Sequence, residues 1–414
     1  MIRELGGAVR HQVMNLFRLA AGEPVAPVPM GSMTLDRDDV VIARKCLARP
    51  ESWQDESAVA QFESDFASFC GADEAVSFKA GRVAFSAVLD AFEIGGGDEV
   101  IVPGFTCVVV PNAIEFSGAK PVYCDIELDS YGPSAASVRS LITSSTRAIV
   151  IQHLFGLVCR DYDEIVELAT SRGIPLIEDC AHATGARFRD LSVGLRGDAG
   201  FFSLEQSKVI NSTCGGVAVS RRPEIARKLR EFQLDSSWPA FEEVRGALES
   251  VVWNYFRFKH PQRWWRGDLA RFRFGRHAFT STSRQEMDGA MPDGYRARMS
   301  PAVAQVAANQ LGKIEIYNNK RRKIARRWDA WCDQNGYSKP LVIPESLPVF
   351  LRYPIIADPG FKRDPRRMSR RYGIKPGVWF VSHLHPSTRP VQGCPNADVA
   401  VERCINLPCL LDDD

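Results

Sequence analysis

Residues 176–219 read LIEDCAHATGARFRDLSVGLRGDAGFFSLEQSKVINSTCGGVAV, and this stretch decides the fold class. Its first apolar run ends in an acid, Asp179, where a strand of an α/β sheet presents groups to a ligand. A second apolar run delivers Ser203, Lys208 follows five residues later, and a glycine pair stands at 215–216. An acid, a hydroxyl and an amine placed at or just after strands indicate a ligand site at the carboxyl ends of the strands.

The residues before this stretch alternate between helical and strand-like patterns. Apolar residues recur at helical spacing in residues 59–69, 82–92 and 161–171. Short apolar runs with frequent β-branched residues predict strands at residues 99–102, 121–124, 148–152 and 174–177. Such strands, separated by helices, are typical of a mostly parallel sheet that is covered on both faces. From Ser300 one long helix is predicted, with a strongly basic stretch at residues 318–327.

Composition restricts the class of protein. A chain of 414 residues is longer than one hydrophobic core usually supports, so we expect a large and a smaller domain. A net charge of +2 gives no field that favours nucleic acid. The eleven cysteines form no C-x-x-C pair, which argues against a disulfide framework and a zinc site. No spanning apolar run and no signal peptide are evident, so a cytoplasmic location is expected.

The side chains of residues 176–219 are those that pyridoxal 5′-phosphate (PLP) requires. The cofactor needs a lysine amine for its aldehyde and a carboxylate beside its ring nitrogen, and Lys208 and Asp179 could supply both. Its phosphate needs hydroxyls and the N–H groups of a helix start. Ser203 and the turn at residues 79–82, which precedes a predicted helix, could supply those.

Several motifs in fixed order resemble the DegT/DnrJ/EryC1/StrS family of PLP-dependent sugar aminotransferases. The similarity is dense over residues 62–220 and resumes more weakly over residues 298–408. The matching pieces are Gly81–Arg82–Val83–Ala84, the run GDEVIVP at 97–103, Phe105–Thr106, Asp125, HLFG at 153–156, EDCAH at 178–182, Gly197–Asp198, Phe202–Ser203, Lys208 and Gly215–Gly216. The resemblance implies a fold-type-I α/β architecture, with a large domain around a mostly parallel sheet and a smaller α+β C-terminal domain.

The resemblance also implies roles for individual residues. Lys208 would hold the cofactor as a Schiff base and move the proton during catalysis. Asp179 would bind the pyridine nitrogen, and His182 would lie near the 3-hydroxyl of the ring. Ser203 and the backbone at Gly81 and Arg82 would bind the phosphate.

Departures from the family pattern concern the surroundings of the ring. Cys107 stands where the family often places an aromatic residue stacked on the cofactor, and Cys214 stands where an acid often precedes the glycine pair. Family members usually form homodimers with active sites at the interface. Arg296, from the partner subunit, would then approach the phosphate as a cation in place of the usual asparagine.

The predicted organisation has four parts. An N-terminal helical or extended arm covers residues 1–57, and the PLP-binding α/β domain covers residues 58–235. An insertion rich in aromatic and basic residues covers residues 236–297. A long helix and the small α+β domain fill residues 298–414.

The insertion is densest in tryptophan, phenylalanine and arginine at residues 251–276. Such a segment could lie on a membrane surface, because these residues suit the headgroup layer. It could equally be an arm at the dimer interface, where the same residues are favoured. A third interpretation is a helical lid over the active site. A peripheral position on the inner face of the membrane therefore stays open.

The expected activity is transfer of an amino group from an amino acid, glutamate in the first instance, to a nucleotide-linked keto-sugar. Polysaccharide, glycolipid or antibiotic-sugar biosynthesis would use that step. Two alternatives remain: another PLP-dependent reaction on the same fold, or a non-catalytic, membrane-associated protein that retains the fold. Sugar dehydratases that resemble this family replace the lysine with histidine, so Lys208 argues against that branch.

Overall fold

A mostly parallel sheet forms the centre of the computed structural model, which describes residues 33–256 and 281–410. Within these residues the sheet has seven strands in the order β1-β10-β9-β6-β5-β2-β4. The five strands from β9 to β4 run parallel, β10 is antiparallel to β9, and β1 at the edge is antiparallel to β10. Their bounds are β1 Ala75–Phe78, β2 Glu99–Pro103, β4 Lys120–Cys124, β5 Thr146–Gln152, β6 Leu176–Asp179, β9 Ala199–Ser203 and β10 Gly216–Val219. The predicted mostly parallel α/β sheet is confirmed.

Helices cover both faces of the sheet, as its apolar strands require. They are α2 Ser57–Cys70, α3 Gly81–Ala91, α4 Val109–Phe116, α5 Ala135–Leu141, α6 Tyr162–Arg172 and α7 Pro223–Asp235. Successive residues of β9 point to opposite faces. The ring of Phe201 stacks on Phe85 of α3 at 4.7 Å, and the ring of Phe202 meets Phe66 of α2 edge-on at 5.1 Å. Each face therefore has its own buried core.

The predicted strand at residues 174–177 begins and ends two residues later than expected. In the structure β6 is Leu176–Asp179, because Asp179 pairs with Gln152 on one side and with Phe201 on the other. The later end of β6 carries the Asp179 side chain to the carboxyl edge of the sheet.

The predicted single long helix after Ser300 is wrong. Two helices occupy this region, α10 Pro301–Leu311 and α11 Ile314–Asn335, and Gly312 and Lys313 separate them. Glycine favours a helix end, and Lys313 donates from Nζ to Asp38 at 2.9 Å and to Asp39 at 2.6 Å. Both aspartates belong to α1 Arg37–Ala48, so the break holds the N-terminal helix against the rest of the chain.

The C-terminal part combines short strands and helices, in agreement with the predicted α+β character. Strand β12 Tyr353–Ile356 pairs antiparallel with β14 Cys404–Leu407. The helices are α12 Pro359–Arg363, α13 Pro365–Tyr372 and α14 Pro395–Arg403. Strand β13 Leu384–His385 leaves this unit and pairs parallel with β3 Thr106–Cys107 of the larger part. That pairing brings C-terminal residues to the carboxyl edge of the central sheet.

The remaining elements are shorter or lie around the insertion. They are a 3-10 turn Pro50–Gln54, a 3-10 turn Leu154–Gly156, β7 Arg187–Phe188, β8 Leu191–Ser192, α8 Phe241–Asn254, α9 Arg284–Met287 and β11 Ser346–Leu347. Most of the aromatic and basic segment 251–276 lies outside the described residues, as does the start of the chain. No helix in the described ranges is long and apolar enough to cross a membrane.

Candidate active site

A cavity of about 590 Å³ opens at the carboxyl ends of β5, β6 and β9. Gln152, Asp179 and Ser203 reach it from these three strands. Seven of the eight predicted site residues line it: Lys208, Asp179, His182, Ser203, Gly81, Arg82 and Cys107. The fold therefore brings together residues that span more than a hundred positions of sequence, as expected for a site at the carboxyl edge of a parallel sheet.

The amine of Lys208 lies against an imidazole. Its Nζ is 2.9 Å from Nε2 of His182, and Nδ1 of His182 accepts the backbone N–H of Phe155 at 3.2 Å. A neutral ring that accepts at Nδ1 carries its proton on Nε2. Burial, and then the charge of Lys208, hold the pKa of His182 well below its usual value. His182 is thus a neutral ring whose Nε2 faces the Lys208 amine.

The loop that carries Lys208 is closed on itself by backbone bonds. Lys208 donates its N–H to Glu205 O at 2.8 Å, and Ser212 donates back to Leu204 O at 3.1 Å. The Glu205 carboxylate accepts the Ser207 N–H at 2.9 Å. These bonds hold the loop between β9 and β10, so the lysine is presented from a fixed backbone.

Asp179 is a buried carboxyl group with one backbone donor. Its Oδ1 accepts the N–H of Ala181 at 2.9 Å, and the residue is 6% exposed. Burial raises the pKa of Asp179 to about 6, although the Ala181 hydrogen bond and the charge of Lys208 act in the opposite direction. A cation bound beside this carboxylate would relieve the cost of burying its charge.

The neighbouring acid, Glu178, faces away from the cavity and has a different environment. Its carboxylate accepts from Nε2 of His153 at 3.0 Å, from the Tyr162 hydroxyl, and from the N–H groups of Gly194, Arg196 and Gly197. Burial alone would raise the pKa of Glu178, but these hydrogen bonds, led by that of His153, hold it below its usual value. Glu178 and His153 therefore stabilise the fold beneath the cavity.

The start of α3 meets the end of β9 at close range. A Cβ on Gly81 would come within 2.8 Å of Ser203 Cβ, so only glycine permits this approach. Val83 and Ala84 donate to Ala80 O, which leaves the N–H groups of Gly81 and Arg82 at the open end of the helix. The Ser203 hydroxyl has no hydrogen-bond partner in the described part of the chain. Two N–H groups and a hydroxyl thus form a cradle for an anion.

The side chain of Arg82 is occupied elsewhere. Its Nε lies 2.5 Å from the buried carboxylate of Glu286 on α9, and it donates to Ser281 O at 2.8 Å. Only its backbone N–H is directed into the cradle. Arg296 does not line the cavity of its own subunit, because its guanidinium lies over the Phe232 ring at 4.8 Å. Its predicted contribution from a partner subunit stays a prediction.

The two cysteines that depart from the family pattern both line the cavity and are partly buried. Burial raises the pKa of Cys107, and it raises the pKa of Cys214 to about 12. Both thiols are therefore protonated near neutral pH and provide small, weakly polar walls rather than nucleophiles. By contrast, Cys180 is fully buried in the core.

Part of the cavity wall is formed by residues that the sequence did not predict. Trp379, Phe380 and His385 line it from the C-terminal unit, and Tyr295 and Glu286 line it from the segment after the insertion. The first group follows from the pairing of β13 with β3. The only signal in the sequence was the local density of rings in WFVSHLH at 379–385.

Known proteins match this chain along most of its length. The model of the DegT/DnrJ/EryC1/StrS aminotransferase family matches residues 37–260 and 265–412. An L-glutamine:2-deoxy-scyllo-inosose aminotransferase of Streptomyces paromomycinus is 38% identical over 278 residues, which are 67% of this chain and 57% of that protein. The GDP-perosamine synthase of Caulobacter vibrioides is 37% identical over 172 residues, 42% of this chain and 46% of that protein. This chain thus spans about half the length of the curated relatives that it matches.

Solved structures share the fold. A DegT/DnrJ/EryC1/StrS aminotransferase from Brucella abortus superposes with a TM-score of 0.66 at 21% identity, covering 90% of each chain. The PLP form of Spr1654 from Streptococcus pneumoniae gives a TM-score of 0.69 at 18% identity and covers 94% of each chain. The architecture, the cavity at the carboxyl edge and the family match agree, and the chain belongs to the DegT/DnrJ/EryC1/StrS aminotransferase family.

Proposed function

We propose that this protein is a PLP-dependent aminotransferase that moves an amino group from an amino acid, glutamate in the first instance, to a nucleotide-linked keto-sugar. One observation carries the proposal: the Lys208 amine lies 2.9 Å from a neutral imidazole, in a cavity that a buried carboxyl group also lines. Family membership and relatives that aminate keto-sugars support the same reaction.

The residues present fit PLP. Lys208 would hold the aldehyde carbon covalently, Asp179 would face the pyridine nitrogen, and His182 would donate from Nε2 to the 3-hydroxyl oxygen. The phosphate would be held by Ser203 Oγ and the N–H groups of Gly81 and Arg82. The close approach of Gly81 to Ser203, 2.8 Å for an added Cβ, supports this assignment because it forms a cradle that a side chain would fill. When bound, PLP supplies an electron sink for the carbon that loses its proton.

The chemistry of the chain's own residues follows from this arrangement. Lys208 would move the proton at Nζ, because its amine lies in the cavity and can act as a general base. His182 keeps its Nε2–H available since Nδ1 is occupied by the Phe155 N–H. Asp179 would keep the ring nitrogen of bound PLP protonated, because pairing with a cation offsets the cost of burying its carboxylate.

We also propose that the protein acts as a homodimer in which Arg296 of one subunit reaches the phosphate site of the other. Arg296 is exposed and lies outside its own subunit's cavity. The phosphate cradle of one chain offers N–H groups and a hydroxyl, whereas the Arg82 guanidinium is neutralised by Glu286. A cation from a partner would therefore complete the charge balance around a phosphate dianion.

A keto-cyclitol acceptor with glutamine as the donor is the second candidate. It is favoured by the relative from Streptomyces paromomycinus, which is named for glutamine and 2-deoxy-scyllo-inosose. Both candidates use the same residues around the cofactor and differ only in the compounds that enter the cavity.

Isotope transfer tests the proposal and separates its two forms. The PLP-loaded protein is incubated with ¹⁵N-amino glutamate or glutamine, and with either UDP-N-acetyl-3-dehydro-glucosamine or 2-deoxy-scyllo-inosose. We expect ¹⁵N in an amino-sugar or amino-cyclitol product that depends on Lys208, with Lys79→Ala as the matched control because Lys79 lines the same cavity. A protein that binds PLP but transfers no label from any amino acid to any ketone would contradict it.

A further inference from the structure

His385 is a titratable residue of the cavity wall to which the proposed cofactor chemistry gives no role. It lies on β13, and the backbone fixes its place: Thr106 donates to His383 O and Val108 donates to His385 O, each at 2.8 Å. In the parallel register His385 lies beside Cys107. A residue of the C-terminal unit is therefore held at the carboxyl edge of the large sheet by main-chain bonds.

The ring of His385 is held in one orientation. It stacks on Phe380 with centroids 5.0 Å apart and planes inclined by 14°. The same Phe380 ring lies 6.2 Å from the ring of His182, whose Nε2 contacts Lys208. His385 and His182 are thus packed against one phenylalanine beside the reactive amine.

The position of the ring proton of His385 is determined in the same way as in His182, by a backbone N–H that Nδ1 accepts. Its Nδ1 accepts the N–H of Val381 at 3.3 Å, so the neutral ring carries its proton on Nε2. Burial, followed by the charges of Lys208 and Lys362, lowers the pKa of His385 to about 4. At neutral pH the side chain is therefore an uncharged N–H donor. Its Nε2–H has no hydrogen-bond partner in residues 33–256 and 281–410.

An uncharged N–H group suits the amino-group acceptor better than it suits the amino acid. The amino-acid donor carries a carboxylate, for which a cation is the stronger partner. The acceptor carries a ketone and hydroxyl groups, for which a directional neutral N–H is well matched. Because a neutral imidazole needs no counter-ion, it can polarise a carbonyl oxygen in a buried site at small cost.

We propose that His385 recognises the amino-group acceptor by donating its Nε2–H to the ketone or an adjacent hydroxyl oxygen. This inference rests on the proposed aminotransferase function. It makes His385 a residue of the second half-reaction, in which the ketone receives the amino group and releases its oxygen as water. His182 instead belongs to the cofactor side of the cavity.

Two substitutions separate hydrogen bonding from packing. His385→Phe keeps a ring against Phe380 and removes the donor, whereas His385→Gln keeps an N–H donor and removes the ring. The two half-reactions are followed by the absorbance of the bound cofactor, first with glutamate or glutamine alone, then with 2-deoxy-scyllo-inosose or UDP-N-acetyl-3-dehydro-glucosamine.

We expect the rate of the amino-acid half-reaction to stay within about threefold of wild type for both variants, since the proposal assigns His385 to the acceptor alone. For the acceptor step, we expect His385→Phe to lose roughly 30-fold in kcat/KM, or about 2 kcal/mol, and His385→Gln to recover much of that loss, because a hydrogen bond to a buried oxygen has been removed and then restored. A His385→Phe variant with a wild-type acceptor step overturns the inference, and so does the reverse order of the two variants, which marks a packing role. If the wild type itself does not react with an amino acid, the proposed function falls and this inference falls with it.

Discussion

Asp179 shows how burial sets the chemistry of a single residue. Its folded pKa of about 6 lies above the ordinary value of 3.8, so the folded protein binds a proton that the unfolded chain releases between these values. The unfolding free energy of the cofactor-free protein should therefore fall as pH rises from about 4 to 6, by on the order of 2–3 kcal/mol.

Urea denaturation of the cofactor-free protein at pH 4.5 and pH 7 measures this loss. Asp179→Asn cannot ionise, so we expect its unfolding free energy to depend less on pH across the same interval. PLP should remove the pH dependence in the wild type, because the ring nitrogen compensates the carboxylate. An asparagine variant with the wild-type pH dependence would show that another group titrates.

For Glu178, one position earlier in the chain, we predict an effect on stability. Glu178→Gln places an amide N–H₂ among five donors, so we expect a loss of roughly 3 kcal/mol in unfolding free energy. Glu164→Gln is the matched control, since Glu164 forms only an exposed pair with Arg139. Equal stability of the two variants would contradict the role assigned to Glu178.

At the scale of elements, the contact between α3 and β9 determines the phosphate cradle. Gly81→Ala adds a Cβ 2.8 Å from Ser203 Cβ, which forces the helix start away from the strand. We expect PLP affinity to fall at least tenfold and stability to fall by about 1–3 kcal/mol. Gly96→Ala serves as the control because a Cβ there meets nothing within 4 Å. Fluorescence titration with PLP measures both variants, and an unchanged affinity in Gly81→Ala would argue against the cradle.

Elements also show what the sequence can and cannot predict. The positions of Asp179, Ser203 and Lys208 in the cavity were predictable because each lies at or just after the end of a strand that an apolar run reveals. His385 was not, because its position depends on the pairing of two-residue strands far apart in the chain, and such short strands have no periodicity. The break at Gly312 was not predicted for a related reason: the helical pattern continues through it, and the contact of Lys313 with α1, which is distant in sequence, adds to the effect of the glycine.

At the scale of the whole molecule, the proposed dimer can be tested by mixing inactive subunits. Lys208→Ala lacks the lysine of its own site, and Arg296→Ala lacks the cation that it would lend to its partner. In a mixed dimer one site keeps both groups. Refolding equal amounts together should restore about a quarter of the wild-type activity, since half of the dimers are mixed and each has one intact site.

Sedimentation of the same mixture checks that the subunits associate. Full activity of Arg296→Ala alone, or no recovery in a mixture that forms dimers, would show that the site does not use the partner's arginine.

Covalent attachment of PLP to Lys208 is the step on which every proposed role in the cavity depends. Borohydride reduction of the PLP-loaded protein, followed by digestion and mass spectrometry, identifies the modified lysine directly. We predict that the label lies on the peptide containing Lys208, that it persists in Lys79→Ala, and that it disappears in Lys208→Ala together with the near-ultraviolet cofactor band. A label on Lys79 in the wild type, or an unchanged band in Lys208→Ala, would contradict the account.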